Sequence, residues 1–389
     1  MSGKNVKLTF FDSVAIANRE KIHSQIFEWF FNNPEFSNEI KTNILVDLFE
    51  LDKYHKTFEQ ILCMPEYKSI DFILKADDEL FVIENKLKSF QHDNQLKRYE
   101  TVIDEDESFL CKGLKHNDNL VHLILLSVIN ERSQSGNWKE KTYRNLVDIL
   151  NNIVPKIDKE VKGFSNNILK EYIKSWENML KVMDTFLTEH EKCPNVFIKS
   201  NKYDNYMKKF ENQYENLTEE YIKIGNYEAI FEMALLDKIA KAMNVGKEFG
   251  YQIAVSERNG EPLIQFIVKK FKDNENTPYM LGIQFQRNTI KLNYRHLNID
   301  DYKKSSKENI PLSILNTFKK IAKENKGFSV RSGNKLEYCC MHFSLQKNYF
   351  ESHSIEKIID VFVEKYFLLE NFIEDCYTVI KGDSDWHNH

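Results

Sequence analysis

Two short β-type runs with a polar link between them constrain this chain more than any other feature. They are residues 69–75 (SIDFILK) and 80–87 (LFVIENKL), joined by Ala76-Asp77-Asp78-Glu79, a connection short enough for a hairpin. The second run opens on Leu80-Phe81-Val82-Ile83 and then turns to Glu84-Asn85-Lys86. Ionised groups ending a strand this apolar cost free energy unless something compensates them. Side chains alternate along a strand, so Glu84 and Lys86 share one face while Ile83 and Asn85 point the other way. Asp71 lies on the preceding strand of the same hairpin, from which its carboxylate reaches the side that carries Glu84.

Two carboxylates from adjacent strands make an oxygen site suited to Mg²⁺, which takes one or two carboxylates together with water and phosphate oxygens. A lysine beside them can orient or deprotonate an attacking water and stabilise charge developing on phosphorus. These parts suit metal-assisted hydrolysis of a phosphodiester. A plain Glu84–Lys86 salt bridge would explain that pair, but not why Asp71 converges on it. Residues 92–104 switch to helical spacing, which puts Gln95 and Tyr99 on one face. Lys97 and Arg98 sit on the flank of that helix and Lys88 just before it. Together they form a local basic strip that would hold phosphates without reading sequence.

The pattern D-x12-E-x-K closing a hairpin resembles the PD-(D/E)XK nuclease superfamily, with Asp71, Glu84 and Lys86 in its signature positions. Gln95-Leu96-Lys97-Arg98-Tyr99 resembles the QhxxY motif of its RecB-like branch. The stretch VIENKLKSFQHDNQLKRYE is similar to a bacterial family in which IENK is followed by QLxxY. The likeness covers about residues 15–190: NREKIHSQIFEWFFNNP resembles the opening helix, and VHLILLSVI…NWKEKTYRNLVDIL the later strand, Trp-containing loop and helix. It implies a further metal contact from Glu20 and a metal-binding main-chain carbonyl at Asn85. Ile70 stands where the family pattern has proline.

The flanks fit an α/β fold of the restriction-endonuclease type, a mixed sheet between helices. Residues 14–32 read as a helix with Ile22, Ile26, Trp29 and Phe30 on its apolar face, followed by a helix over 38–51 and a first strand at 58–64. The almost unbroken apolar run 119–129 reads as a strand buried on both faces. A polar loop, ERSQSGNWKEKT, leads to helices near 143–152 and 163–187. Periodicity fades around 188–204, which places a linker between a nuclease domain at 1–190 and an α+β domain at 205–382. The second half reads as helices near 206–220 and 226–244, then antiparallel hairpins 250–258/262–270, 279–286/289–294 and 328–332/335–345, then a long helix over 354–380. Specificity, regulation or oligomerisation is the expected role of this second domain.

Composition narrows the setting. With 42% apolar and 29% charged residues the chain is neither disordered nor a membrane protein, and no apolar run reaches 18 residues. The N-terminus lacks the pattern of a signal peptide, so a cytoplasmic protein is expected. Six cysteines without a CxxC indicate free thiols rather than zinc or disulfides. A net charge of −5 argues mildly against coating DNA by electrostatics alone. The lone histidines His23 and His122 are expected in core or hydrogen-bonding roles.

The expectation is a Mg²⁺-dependent nuclease, with Mn²⁺ substituting, in which Asp71 and Glu84 hold the metal and Lys86 assists the attacking water. Gln95 and Tyr99 would support the substrate strand. DNA is favoured over RNA as substrate, and the resemblance implies a bacterial defence or restriction setting. A homo-oligomer or an activating partner protein is left open. The rival reading is a catalytically silent nuclease-fold module that binds nucleic acid or a partner.

Overall fold

The computed structural model describes residues 7–52, 56–87, 94–108, 110–129, 131, 133, 135–188, 217–242, 249–255, 262–268, 279–286, 288–296, 312–332, 338–346, 349 and 352–382. The chain divides into two compact units, residues 1–185 with 203–231, and residues 186–202 with 232–389.

In the first unit a short helix α1 (Phe10–Ser13) precedes α2 (Glu20–Asn32) and α3 (Asn38–Phe49). Strands β1 (Ile61–Tyr67), β2 (Ile70–Ala76) and β3 (Glu79–Lys86) follow, then α4 (Gln95–Glu105), β4 (Val121–Ser127), β5 (Lys139–Thr142), α5 (Tyr143–Glu160) and α6 (Phe164–Thr188). The five strands form one sheet in the order β1-β2-β3-β4-β5. β1, β2 and β3 pair antiparallel, and β3–β4 and β4–β5 pair parallel. This is the mixed, helix-flanked sheet expected of the restriction-endonuclease type.

The middle position of β3 explains its composition. With a strand on either edge and both faces covered, every residue from Leu80 to Lys86 is buried. The link to β2 shortens to Asp77-Asp78, with Asp77 in the left-handed region at φ 49°. The Asp77 carboxylate accepts the Glu59 and Gln60 amides, which ties the hairpin to the approach of β1.

Local periodicity misplaces three features. The expected helix over 14–32 begins only at Glu20, because the chain turns at Ala15 (φ 52°) and the Ala17 carbonyl is bonded to the His23 ring at 2.9 Å. The buried face of α2 is His23, Ser24, Phe27, Phe30 and Phe31, while Ile22, Ile26 and Trp29 are half-buried. The polar loop after residue 130 contains β5, an edge strand too short and too exposed to show alternation.

Two further helices, α7 (Leu217–Gly225) and α8 (Glu228–Ala242), follow in the chain. α7 and α8 as far as Phe231 group with the first unit, although their residues lie within the expected second domain. Tertiary hydrogen bonds are responsible: Tyr221 and Tyr227 donate to Asp12, a fully buried carboxylate. The expected linker lies outside the described residues apart from its first position.

The second unit is a six-stranded antiparallel sheet of β6 (Phe249–Val255), β7 (Pro262–Val268), β8 (Tyr279–Gln286), β9 (Thr289–His296), β10 (Ser329–Ser332) and β11 (Tyr338–Ser344), in the order β10-β11-β9-β8-β7-β6. The three expected hairpin pairs are all present in it. A helix not anticipated from the sequence, α9 (Leu312–Glu324), precedes β10, with Ile314, Leu315, Phe318 and Ile321 buried along one face. The long terminal helix α10 (Ile355–Gly382) packs Phe362 on Phe285 and Tyr366 on Phe266. The described cysteines, Cys63, Cys111, Cys339, Cys340 and Cys376, are all free and buried. Cys193 and the two histidines of the C-terminal tail lie outside the described residues.

Candidate active site

The hairpin register puts Phe72 across from Ile83. One step further along the same register, Asp71 stands across from Glu84, so both carboxylates leave the same face of the sheet. On its other edge, β3 pairs Glu84 with Leu125 and Lys86 with Ser127 of β4, which fixes the strand end.

Glu84 is 1% exposed, and its Oε1 accepts from Lys86 Nζ at 2.7 Å and from Gln95 Nε2 at 2.8 Å. Its second oxygen, Oε2, is buried and receives no amide, hydroxyl or amine donor, while the Asp71 carboxyl, when it carries a proton, hydrogen-bonds to Glu84. Asp71 accepts the Asn85 backbone N–H at 2.8 Å. Burial, and then the neighbouring charge of Glu84, push the Asp71 carboxyl up to about 8. Burial likewise raises the Glu84 carboxyl, against the pull of Lys86. For Lys86 burial works against the ammonium form, but Glu84, Glu20 and Asp71 outweigh it and the net shift is upward. The surrounding carboxylates therefore favour the ammonium form of Lys86.

The other expected site residues fall into three groups. Glu20, at the start of α2, accepts the Leu87 N–H on Oε1 at 2.9 Å, and its carbonyl accepts from Asn85 Nδ2 at 3.2 Å. It thus brackets Lys86 in sequence, and its charge is felt at Asp71, Glu84 and Lys86. Gln95 and Tyr99 are buried and bond inside the protein: Gln95 to Glu84 and to the Tyr99 hydroxyl at 2.8 Å, Tyr99 to the Ser69 carbonyl at 2.6 Å. They hold Glu84 and the entry to β2. Lys97 and Arg98 are exposed on α4, with Arg98 5.9 Å from the centre of the Tyr99 ring. Lys88 lies outside the described residues.

Sequence reasoning missed what holds the motif in place. The Tyr143 hydroxyl donates to the Asn85 side chain, and the Tyr143 ring stacks on Trp176 at 3.7 Å. The turn that delivers Asp71 has Glu66, Lys68 and Ser69 in the left-handed region, at φ 54°, 49° and 71°. Buried Asp106 anchors it, accepting from Tyr67 OH at 2.6 Å and Lys68 Nζ at 2.9 Å. His23 is buried and hydrogen-bonded to Ala17 and Tyr172, and burial lowers its pKa to about 4. His122 bonds Glu79 and stacks on Phe81.

The model of the PD-(D/E)XK nuclease superfamily matches residues 8–174. That segment belongs to the superfamily. No protein of curated function and no solved structure matches the chain significantly. Membership implies a metal-dependent nuclease that acts on nucleic acid. Among the described residues no three His, Cys, Asp or Glu side chains are gathered to hold a metal ion by themselves. The pair is nevertheless suited to a divalent cation: two buried carboxyl groups meet, their repulsion when both are ionised raises Asp71, and Glu84 Oε2 receives no amide, hydroxyl or amine donor. Asp71, Glu84 and the Asn85 carbonyl would hold it, leaving the remaining positions to water and phosphate oxygens. Among the described residues no helix is long and apolar enough to cross a membrane.

Proposed function

We propose that the PD-(D/E)XK segment is a Mg²⁺-dependent nuclease that hydrolyses DNA, with Mn²⁺ substituting, in a cytoplasmic bacterial defence role. The observation that carries the reading is the buried Asp71–Glu84 pair beside a protonated Lys86, with Glu84 Oε2 given no amide, hydroxyl or amine donor. A salt bridge serving stability alone would not need a second buried carboxyl group set against Glu84. When bound, the cation would supply Lewis-acid charge at the scissile phosphate. Lys86 orients the attacking water and offers positive charge to the phosphorane-like transition state. Gln95 fixes the rotamer of Glu84, and Asn85, clamped by Tyr143 and Glu20, fixes the strand end. The resemblance of QLKRY to the RecB-like motif supports DNA as substrate, and the IENK…QLxxY likeness supports the defence setting.

The purified full chain with Mg²⁺ or Mn²⁺ should cut linear, circular or single-stranded DNA, and Lys86→Ala and Asp71→Ala should not. Equal cleavage by all three proteins overturns the catalytic reading. Preference for RNA overturns the substrate assignment. A wild type that neither cuts nor gains thermal stability from Mg²⁺ is a binding module instead. The exposed Lys97 and Arg98 are assigned to phosphate contacts. Lys97→Ala and Arg98→Ala should each weaken binding equally across sequences and lower the salt slope of log K by about 1. Loss of affinity for some sequences only would contradict that assignment.

A further inference from the structure

The family match ends at residue 174, yet the loop that leads into α2 is held by chain well beyond it. Asn18 is 2% exposed, and its Nδ2 donates to the carbonyls of Gly225 at 3.1 Å and Asn226 at 3.0 Å. Those carbonyls belong to the turn between α7 and α8, which has little freedom. A Cβ on Gly225 would meet the Tyr227 ring at 2.0 Å, so only glycine fits. Asn226 is left-handed at φ 54°, the Tyr227 N–H closes on the Ile222 carbonyl at 2.9 Å, and the Tyr227 hydroxyl is anchored on Asp12 at 2.7 Å.

On the other side of Asn18, only Arg19 separates it from Glu20. The Glu20 carbonyl accepts from the Asn85 side chain and its carboxylate from the Leu87 N–H. Asn85 and Leu87 flank Lys86. A short path of one buried and three part-buried hydrogen bonds, joined by the chain from Asn18 through the exposed Arg19 to Glu20, therefore runs from the α7–α8 turn to both neighbours of the lysine. His23 reinforces it by holding the Ala17 carbonyl.

We propose that the α7–α8 turn is a positioning element of the active site, acting through Asn18 and Glu20 on the strand end that carries Lys86. Asn18 is a positioning residue and touches no substrate. In its effect on cleavage the proposal rests on the nuclease reading; the hydrogen-bond path does not.

The test uses full-chain Asn18→Ala and Asn18→Asp, the latter keeping the size and losing both donors. Amide exchange should quicken at Leu87 while Phe81, Val82 and Ile83 stay protected. At saturating Mg²⁺, kcat should fall by about 10- to 100-fold with KM nearly unchanged. Unchanged Leu87 exchange and kcat in a folded variant overturn the proposal, as does a uniform loss of protection across the unit. If wild type neither cleaves nor gains thermal stability from Mg²⁺, the nuclease reading fails and the exchange result still decides this one. If neither variant folds, exchange in wild type at increasing denaturant replaces them. Amides of residues 217–227 and Leu87 should then open together before the β3 core, and Leu87 opening independently of that segment refutes the path.

Discussion

Asp71→Asn should reduce cleavage on the order of 10³-fold or more, and at the same time make the metal-free protein more stable above about pH 4. The variant removes a cation ligand but keeps an oxygen to accept the Asn85 N–H, and it leaves the Lys86–Glu84 pair intact. The sign of the stability change follows from the Asp71 carboxyl being raised to about 8, by burial and then by Glu84, from an ordinary value near 4. Below pH 4 both folded and unfolded chains carry the proton. As pH rises the unfolded chain releases it first, so wild type loses stability between about pH 4 and about pH 8. Asparagine does not titrate, so the variant should match wild type near pH 4 and exceed it most at pH 8 and above. Binding a divalent cation favours the ionised pair and releases the proton, so the Mg²⁺-induced rise in Tm should grow with pH in wild type. It should vanish in the variant. Thermal melts at pH 5 and pH 8, with EDTA and with Mg²⁺, measure all three effects. Equal stability at both pH values, or an undiminished response to Mg²⁺, would show that Asp71 is not under this strain.

Asp12→Ala should destabilise the first unit by about 4 kcal/mol and lower its Tm by about 10 °C. Asp12 carries no salt bridge among the described residues, in which five donors meet its carboxylate. Oδ1 accepts from Ser175 at 2.9 Å, Tyr221 at 3.1 Å and Tyr227 at 2.7 Å, and Oδ2 from the Thr9 N–H at 3.0 Å and hydroxyl at 2.8 Å. Removing the carboxylate strands these donors where water does not reach, and a buried donor left without an acceptor costs more than the bond contributed. Asp12→Asn should fall between, since the amide oxygen can serve the hydroxyls while its NH₂ opposes the Thr9 donors. A urea unfolding free energy lowered by less than about 1 kcal/mol in the alanine variant would mean that water replaces the carboxylate.

Strand alternation and helical spacing were enough to bring Asp71, Glu84 and Lys86 to one strand end, and Gln95 and Tyr99 to one helix face. Both signals depend on residues close in sequence, as does the two-residue turn that sets the Asp71–Glu84 register. The superfamily likeness rested on those same residues. Edge strand β5 left no such trace, because four residues, two exposed and two half-buried, show no alternation. α9 did carry a legible apolar spacing that was not recognised.

Tertiary structure alone decided the rest. The buried face of α2 follows His23, Phe27, Phe30 and Phe31 because the chain enters that helix late, from a left-handed turn at Ala15. Tyr143 meeting Asn85, Asn18 meeting Gly225 and Asn226, and two tyrosines meeting Asp12 all join residues far apart in the chain. No local period encodes such pairings; they exist only once the sheet register and helix packing have placed both partners. The sequence by itself determined which groups stand at the end of β3. Packing determined that Glu84 Oε2 is buried without an amide, hydroxyl or amine donor, that Lys86 is favoured in its charged form, and that a turn beyond the family match reaches the strand end, because burial and long-range hydrogen bonds set those properties.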